Sequence, residues 1–189
     1  MKKYLLALSA LAFMMWGVAQ DSQDDSSITT DLYDTETQEQ VLGSITFVTQ
    51  EGGGVLAQFD VAANDVISPG EHAIHIHENA DCSPGDSDGD GTEEPGGAAG
   101  GHYNPTDVGH GDDNGPHVGD SAQYNYSFAE DGSFTGEVSF PLASMDGENS
   151  ILENGGTALM IHQGTDDMQT DPGGNSGPRI ACALIMSGN

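Results

Sequence analysis

The sequence predicts an all-β fold, an antiparallel sandwich or barrel with Greek-key connections. Three observations predict it. Short segments of alternating apolar and polar residues recur from Glu39 onward, with the period of two that half-buried strands show. Turn residues stand between them, at Glu51-Gly52-Gly53-Gly54, Ser68-Pro69-Gly70, Asp131-Gly132 and Asn154-Gly155-Gly156. No segment of this region sustains a helical period, which leaves sheets packed on or closed upon themselves.

Taken in order, the chain opens on an address. Lys2 and Lys3 precede an apolar run from Tyr4 to Val18, followed by small residues at Gly17-Val18-Ala19. This reads as a secretory signal over residues 1–19, cut near Ala19–Gln20, without a cysteine to carry a lipid anchor. Residues 20–38 are polar and acidic and read as a flexible lead-in, with room for its end to join the first strand. The domain proper spans 39–189. Its candidate strands are Val41–Thr49, Val55–Ala62, His72–Glu78, Ala122–Ala129, Ser133–Pro141, Ala158–His162 and Ile180–Met186. Two stretches are too long for hairpins, Asp81–Gly119 and Gln163–Gly177, and loops of that length usually carry function.

Charge narrows the function. The 189 residues hold 31 Asp and Glu against 3 Lys and Arg, a net charge of −28. Signal cleavage would leave Arg179 as the one basic side chain and a net charge of −30. Nucleic acid and anionic membranes both recruit Lys and Arg, so neither is an expected partner. Extreme acidity without lysine suits a high-salt setting, where a Debye length of about 3 Å at 1 M removes long-range repulsion.

The histidines point to metal. All seven lie in the β domain: His72, His75, His77, His102, His110, His117 and His162. On a strand, His75-Ile76-His77 turns both imidazoles to one face, a weak signal alone. His102, His110, His117 and Asp120 add three imidazoles and a carboxylate in one glycine-rich loop, a donor set that suits zinc.

Five stretches resemble one family in its own order: GEHAIHIHENADC (Gly70–Cys82), GGHYNPTDVGH (Gly100–His110), GPHVGD (Gly115–Asp120), ALMIHQGTDDM (Ala158–Met168) and GPRIACALI (Gly177–Ile185). The family is the copper–zinc superoxide dismutases, in particular the exported bacterial type. The resemblance implies an eight-stranded, flattened Greek-key barrel. It implies copper on His75, His77, His102 and His162, and zinc on His102, His110, His117 and Asp120, with His102 shared. Asp166 resembles the family carboxylate that links a copper histidine to a zinc histidine, and Asp167 is read as a solvated neighbour. His72 matches a family histidine that is not a ligand; a strand would turn it away from His75. The family joins the cysteines matching Cys82 and Cys182, the only two present, and export would let that bridge persist.

Arg179 falls where the family holds its anion-guiding arginine, and Arg179 and His102 are the expected catalytic residues. The implied substrate is the superoxide anion, dismutated by copper redox cycling with His102 moving a proton. Export implies a periplasmic or extracellular site without a membrane anchor. A copper- or zinc-buffering protein without turnover would use the same histidines. Monomer and homodimer are equally open. Asp86-Ser87-Asp88-Gly89-Asp90-Gly91 matches the start of a calcium loop, but its twelfth position is Gly97 rather than Glu, so it reads as an acidic, solvated insertion.

Overall fold

The structure, a computed structural model, describes residues 27–111 and 115–188. The predicted signal over 1–19 lies outside them, as do the first residues of the lead-in.

Eight strands follow one another: β1 (Ile28–Asp34), β2 (Val41–Thr49), β3 (Val55–Val61), β4 (Gly70–His77), β5 (Asp120–Phe128), β6 (Phe134–Phe140), β7 (Thr157–His162) and β8 (Arg179–Ile185). They form one sheet in the order β5-β4-β7-β8-β1-β2-β3-β6, and every pairing is antiparallel. The crossings from β3 to β4 and from β6 to β7 are the long connections of a Greek key. At the two ends of the order, Phe128 of β5 meets Phe134 of β6 with ring centroids 4.8 Å apart. The sheet thereby curls into a nearly closed barrel.

Seven of these strands lie where alternation placed them, with no end moved by more than two residues. The eighth corrects the flexible lead-in expected over 20–38. Ile28–Asp34 is a strand, paired with β2 from Ile28↔Phe47 to Tyr33↔Val41 and with β8 at Tyr33 and Asp34. Its acidic composition hid a good extended segment: Ile, Thr and Tyr favour strands, and Leu32 is fully buried. The following turn is no looser, because the Asp34 carboxylate accepts the backbone N–H groups of Glu36 and Thr37 at 3.0 and 3.2 Å.

Alternation sorts the interior. Ile74 and Ile76 of β4, and Leu159 and Ile161 of β7, face a core shared with Leu32, Phe47, Val138 and Phe140. Each such aliphatic burial contributes about 1.5–3 kcal/mol. On the opposite faces lie His75 and His77 of β4 and His162 of β7, beside a small cluster of Ala99, Ala158, Met160 and Cys182.

The long β4–β5 loop is anchored where the site forms. Ile76 donates its N–H to Gly119 O and accepts from Tyr103 N, both at 2.8 Å, so the loop takes the place of a strand beside the end of β4. A Cβ on Gly119 would collide with the Ile76 carbonyl, which explains glycine there. Cys82 and Cys182 are bonded, Cα atoms 5.9 Å apart, tying the loop to β8. At a sequence separation of 100, the crosslink is worth about 4–5 kcal/mol on the chain-entropy argument.

Candidate metal centre

Two buried groups of side chains meet at one residue. His75, His77, His102 and His162 form the first; His102, His110, His117 and Asp120 form the second. Within each group, one candidate ligand atom per residue lies within 4.8 Å of every other. His102 belongs to both.

In the first group the outer nitrogens rest mainly on the backbone. His77 Nδ1 is 2.9 Å from Gly100 O, and His162 Nδ1 is 3.1 Å from Gly177 O. A carbonyl only accepts, so each ring carries its proton on Nδ1 and its lone pair on Nε2. Those two Nε2 atoms face each other at 3.3 Å. Two lone pairs so arranged repel unless a cation stands beside both. Burial holds both histidines well below their ordinary pKa, with His102 and Arg179 among the charges adding to it, so both stay neutral. His75 is pushed down to about 4, chiefly by burial and then by His102.

In the second group the partners are mainly carboxylates. His102 Nδ1 lies 2.9 Å from Asp120 Oδ1, and His110 Nδ1 lies 3.1 Å from Asp120 Oδ2. His117 Nε2 is held at 3.1 Å by Val108 O. Burial opposes charge on His110, but its hydrogen bonds to Asp120 and Asp166 outweigh that and raise its pKa to about 10. Burial likewise works against the Asp120 anion, yet His102 and His110 hold its pKa far below the usual carboxylate range. The pocket is built to keep positive charge.

Asp166 joins the halves. Its Oδ2 is 2.8 Å from His75 Nε2, and its Oδ1 is 3.1 Å from His110 Nε2. With Nε2 occupied, His75 turns Nδ1 inward, where that buried atom has no hydrogen-bond partner. The Nδ1 of His117 is orphaned in the same way. Buried polar nitrogens are rarely left so. Imidazoles, a carboxylate and orphaned inward nitrogens fit one copper-type and one zinc-type ion.

Arg179, at the start of β8, pairs in register with His162. Its guanidinium donates to Gly96 O at 2.9 Å and Gly100 O at 2.6 Å, with Glu94 Oε1 3.9 Å away. Burial lowers its pKa and Glu94 opposes that, but a guanidinium stays charged. A cavity of about 300 Å³ opens here, with His77, His102, His162 and Arg179 in its wall and Asp88 and Glu94 at its rim. It is the only Lys or Arg among the described residues.

The remaining expected residues lie outside the two groups. His72 donates Nδ1–H to His162 O at 2.8 Å, which stitches β4 to β7, and its Nε2 lies 3.2 Å from the Ser68 hydroxyl. Asp167 is exposed and closes a turn on Gln169 and Thr170. Asp86, Asp88 and Asp90 form a third, exposed group whose carboxylates accept backbone N–H groups of their own loop. Sequence reasoning missed the carbonyls of Gly100 and Gly177, because backbone acceptors carry no residue signature. It also missed Glu94 beside Arg179, one acid among many.

The profile described as copper/zinc superoxide dismutase matches residues 41–185. The copper–zinc superoxide dismutase 1 of Aquifex aeolicus is 36% identical over 72% of this chain and 75% of its own length. That of Escherichia coli K12 is 32% identical over 98% and 99%. Among solved structures, the Cu/Zn superoxide dismutase of Brucella abortus aligns with a TM-score of 0.67 at 30% identity, covering 84% of this chain and 99% of that one. A SOD-like protein from Bacillus subtilis aligns at 0.69 with 26% identity, covering 83% and 97%. This chain therefore belongs to the copper/zinc superoxide dismutase family.

Proposed function

We propose that the chain is an active superoxide dismutase of the exported bacterial type, turning two superoxide anions and two protons into dioxygen and hydrogen peroxide. The observation that carries this is His102, shared by two complete donor groups and lining the cavity where Arg179 stands. His75, His77, His102 and His162 would hold copper, and His102, His110, His117 and Asp120 would hold zinc. When bound, copper supplies the one-electron chemistry and zinc a fixed positive charge behind His102.

The chain's own groups do the rest. Arg179 carries five N–H donors, of which two are used on Gly96 and Gly100. The others, with the charge, favour a small anion in the cavity. His102 turns Nδ1 toward Asp120, on the zinc-type side, which leaves Nε2 on the copper-type side to carry a proton and deliver it to the peroxide product. The carbonyls of Gly100 and Gly177 fix the tautomers of His77 and His162, so neither ring turns during turnover. Export through residues 1–19 fits the bonded cysteine pair, which persists in oxidising compartments.

The test is metal content and superoxide turnover on one purified, signal-cleaved sample, with His102→Ala alongside. About one copper and one zinc per chain, with fast turnover lost in the variant, is the expected result. Both metals with no turnover would make the protein a metal buffer instead.

A further inference from the structure

Strand β5 carries a defect beside the metal centre. Between the pairs Ala73↔Asn125 and His75↔Asp120, residues 121–124 of β5 stand against Ile74 alone. Within that bulge Tyr124 has φ 58°, a left-handed conformation that bulky residues rarely adopt. Bulges re-aim side chains, and this one aims two. The Tyr124 ring meets His110 edge to face, centroids 5.8 Å apart. Asn125 reaches the neighbouring loop, where its Oδ1 accepts the Asp166 N–H at 2.7 Å and its Nδ2 donates to Asp166 O at 3.0 Å. One side-chain amide thus satisfies both backbone groups of a single residue, as a paired strand would. The opposite neighbour helps: Ala73 N–H donates to Gly164 O at 2.9 Å, anchoring the same loop two residues earlier.

Asp166 is the residue whose two oxygens sit on His75 Nε2 and His110 Nε2. Its backbone position therefore sets which way both rings present Nδ1. On its other side a Cβ at Gly174 would collide with the Asp166 carboxylate, so the carboxylate is enclosed from there too. We propose that Asn125 is a positioning residue for both metal groups, acting through Asp166, and that the β5 bulge exists to present it. The inference rests on the two-metal reading above.

The experiment measures zinc affinity by chelator competition, and the visible spectrum of cobalt in the zinc-type group, for the wild type and Asn125→Ala. Loss of the clamp is expected to weaken zinc binding about 10–100-fold and to shift the cobalt bands. Asn125→Asp keeps the acceptor and loses the donor; it covers the case in which the alanine variant fails to fold, and is expected to weaken zinc in the same direction. Because Asn125 acts through Asp166, Asn125→Ala combined with Asp166→Asn should bind zinc no more weakly than Asp166→Asn alone. A merely structural staple would lower the melting temperature and leave zinc affinity and the cobalt spectrum unchanged, and that result overturns the proposal. Full additivity in the double variant also overturns it. A wild type that takes up no zinc would sink the two-metal reading itself, and this proposal with it.

Discussion

The two halves of the centre share His102 but are built from different partners. In the copper-type half, backbone carbonyls orient His77 and His162, and the half opens onto a cavity. In the zinc-type half, Asp120 and Asp166 hold His102 and His110, Val108 O holds His117, and no member except His102 lines that cavity. Carbonyls fix a tautomer without adding net charge, so the ligands stay neutral and the half stays open to an anion. Carboxylates add negative charge around a closed pocket, which suits a dication that does not exchange. His75 is the exception, a member of the first half whose orientation comes from Asp166. One half is arranged for access, the other for enclosure.

The two halves depend on each other most at the shared residue. His102→Ala should cost more turnover than the about 10–100-fold typical of removing an outer partner, since it takes a ligand from both halves at once. Turnover measured beside metal content checks this. Next comes Asp166→Asn, expected to weaken zinc and copper alike by about 10–100-fold in a chelator competition, because it unseats one histidine of each group, His110 and His75. Arg179→Met should lower kcat/KM about tenfold, the scale of one charge-assisted hydrogen bond at about 1.5 kcal/mol, with zinc affinity unchanged. The smallest effect belongs to the rim. Glu94→Gln should raise kcat/KM about two- to fivefold at low salt, in line with about 0.5–1 kcal/mol for a half-exposed pair, and change little at 1 M salt. For the wild type, rate should climb from low to molar salt as the repulsion from a net charge of −28 is screened.

What could be read in advance follows from what a residue's identity encodes. Strands announce themselves by alternation, and seven did. Ile28–Asp34 did not, since its acids and threonines resemble a solvated tail until β2 and β8 supply partners on either side. Histidines are rare, chemically specific residues here, and Asp120 stood out among 31 acids by its place in GPHVGD, so the donor sets were legible. The structure brings all seven of those residues together. Their orientation was not legible. It depends on the carbonyls of Gly100 and Gly177, which any residue could offer, and on Asn125, whose reach comes from a bulge that no local pattern marks. The Glu94–Arg179 approach was hidden for a further reason: among 31 acids, only the fold of the insertion says which one faces the cavity.

The central claim is that two unlike ions share His102, and magnetic coupling tests it directly. The protein is loaded with Cu(II) alone and its electron paramagnetic resonance spectrum recorded; Co(II) is then added to fill the carboxylate-rich half. Ions joined through one imidazole should couple, so the copper signal is expected to vanish on cobalt addition and to persist in His102→Ala. An undiminished copper signal, with both ions bound to the wild type, would contradict the account.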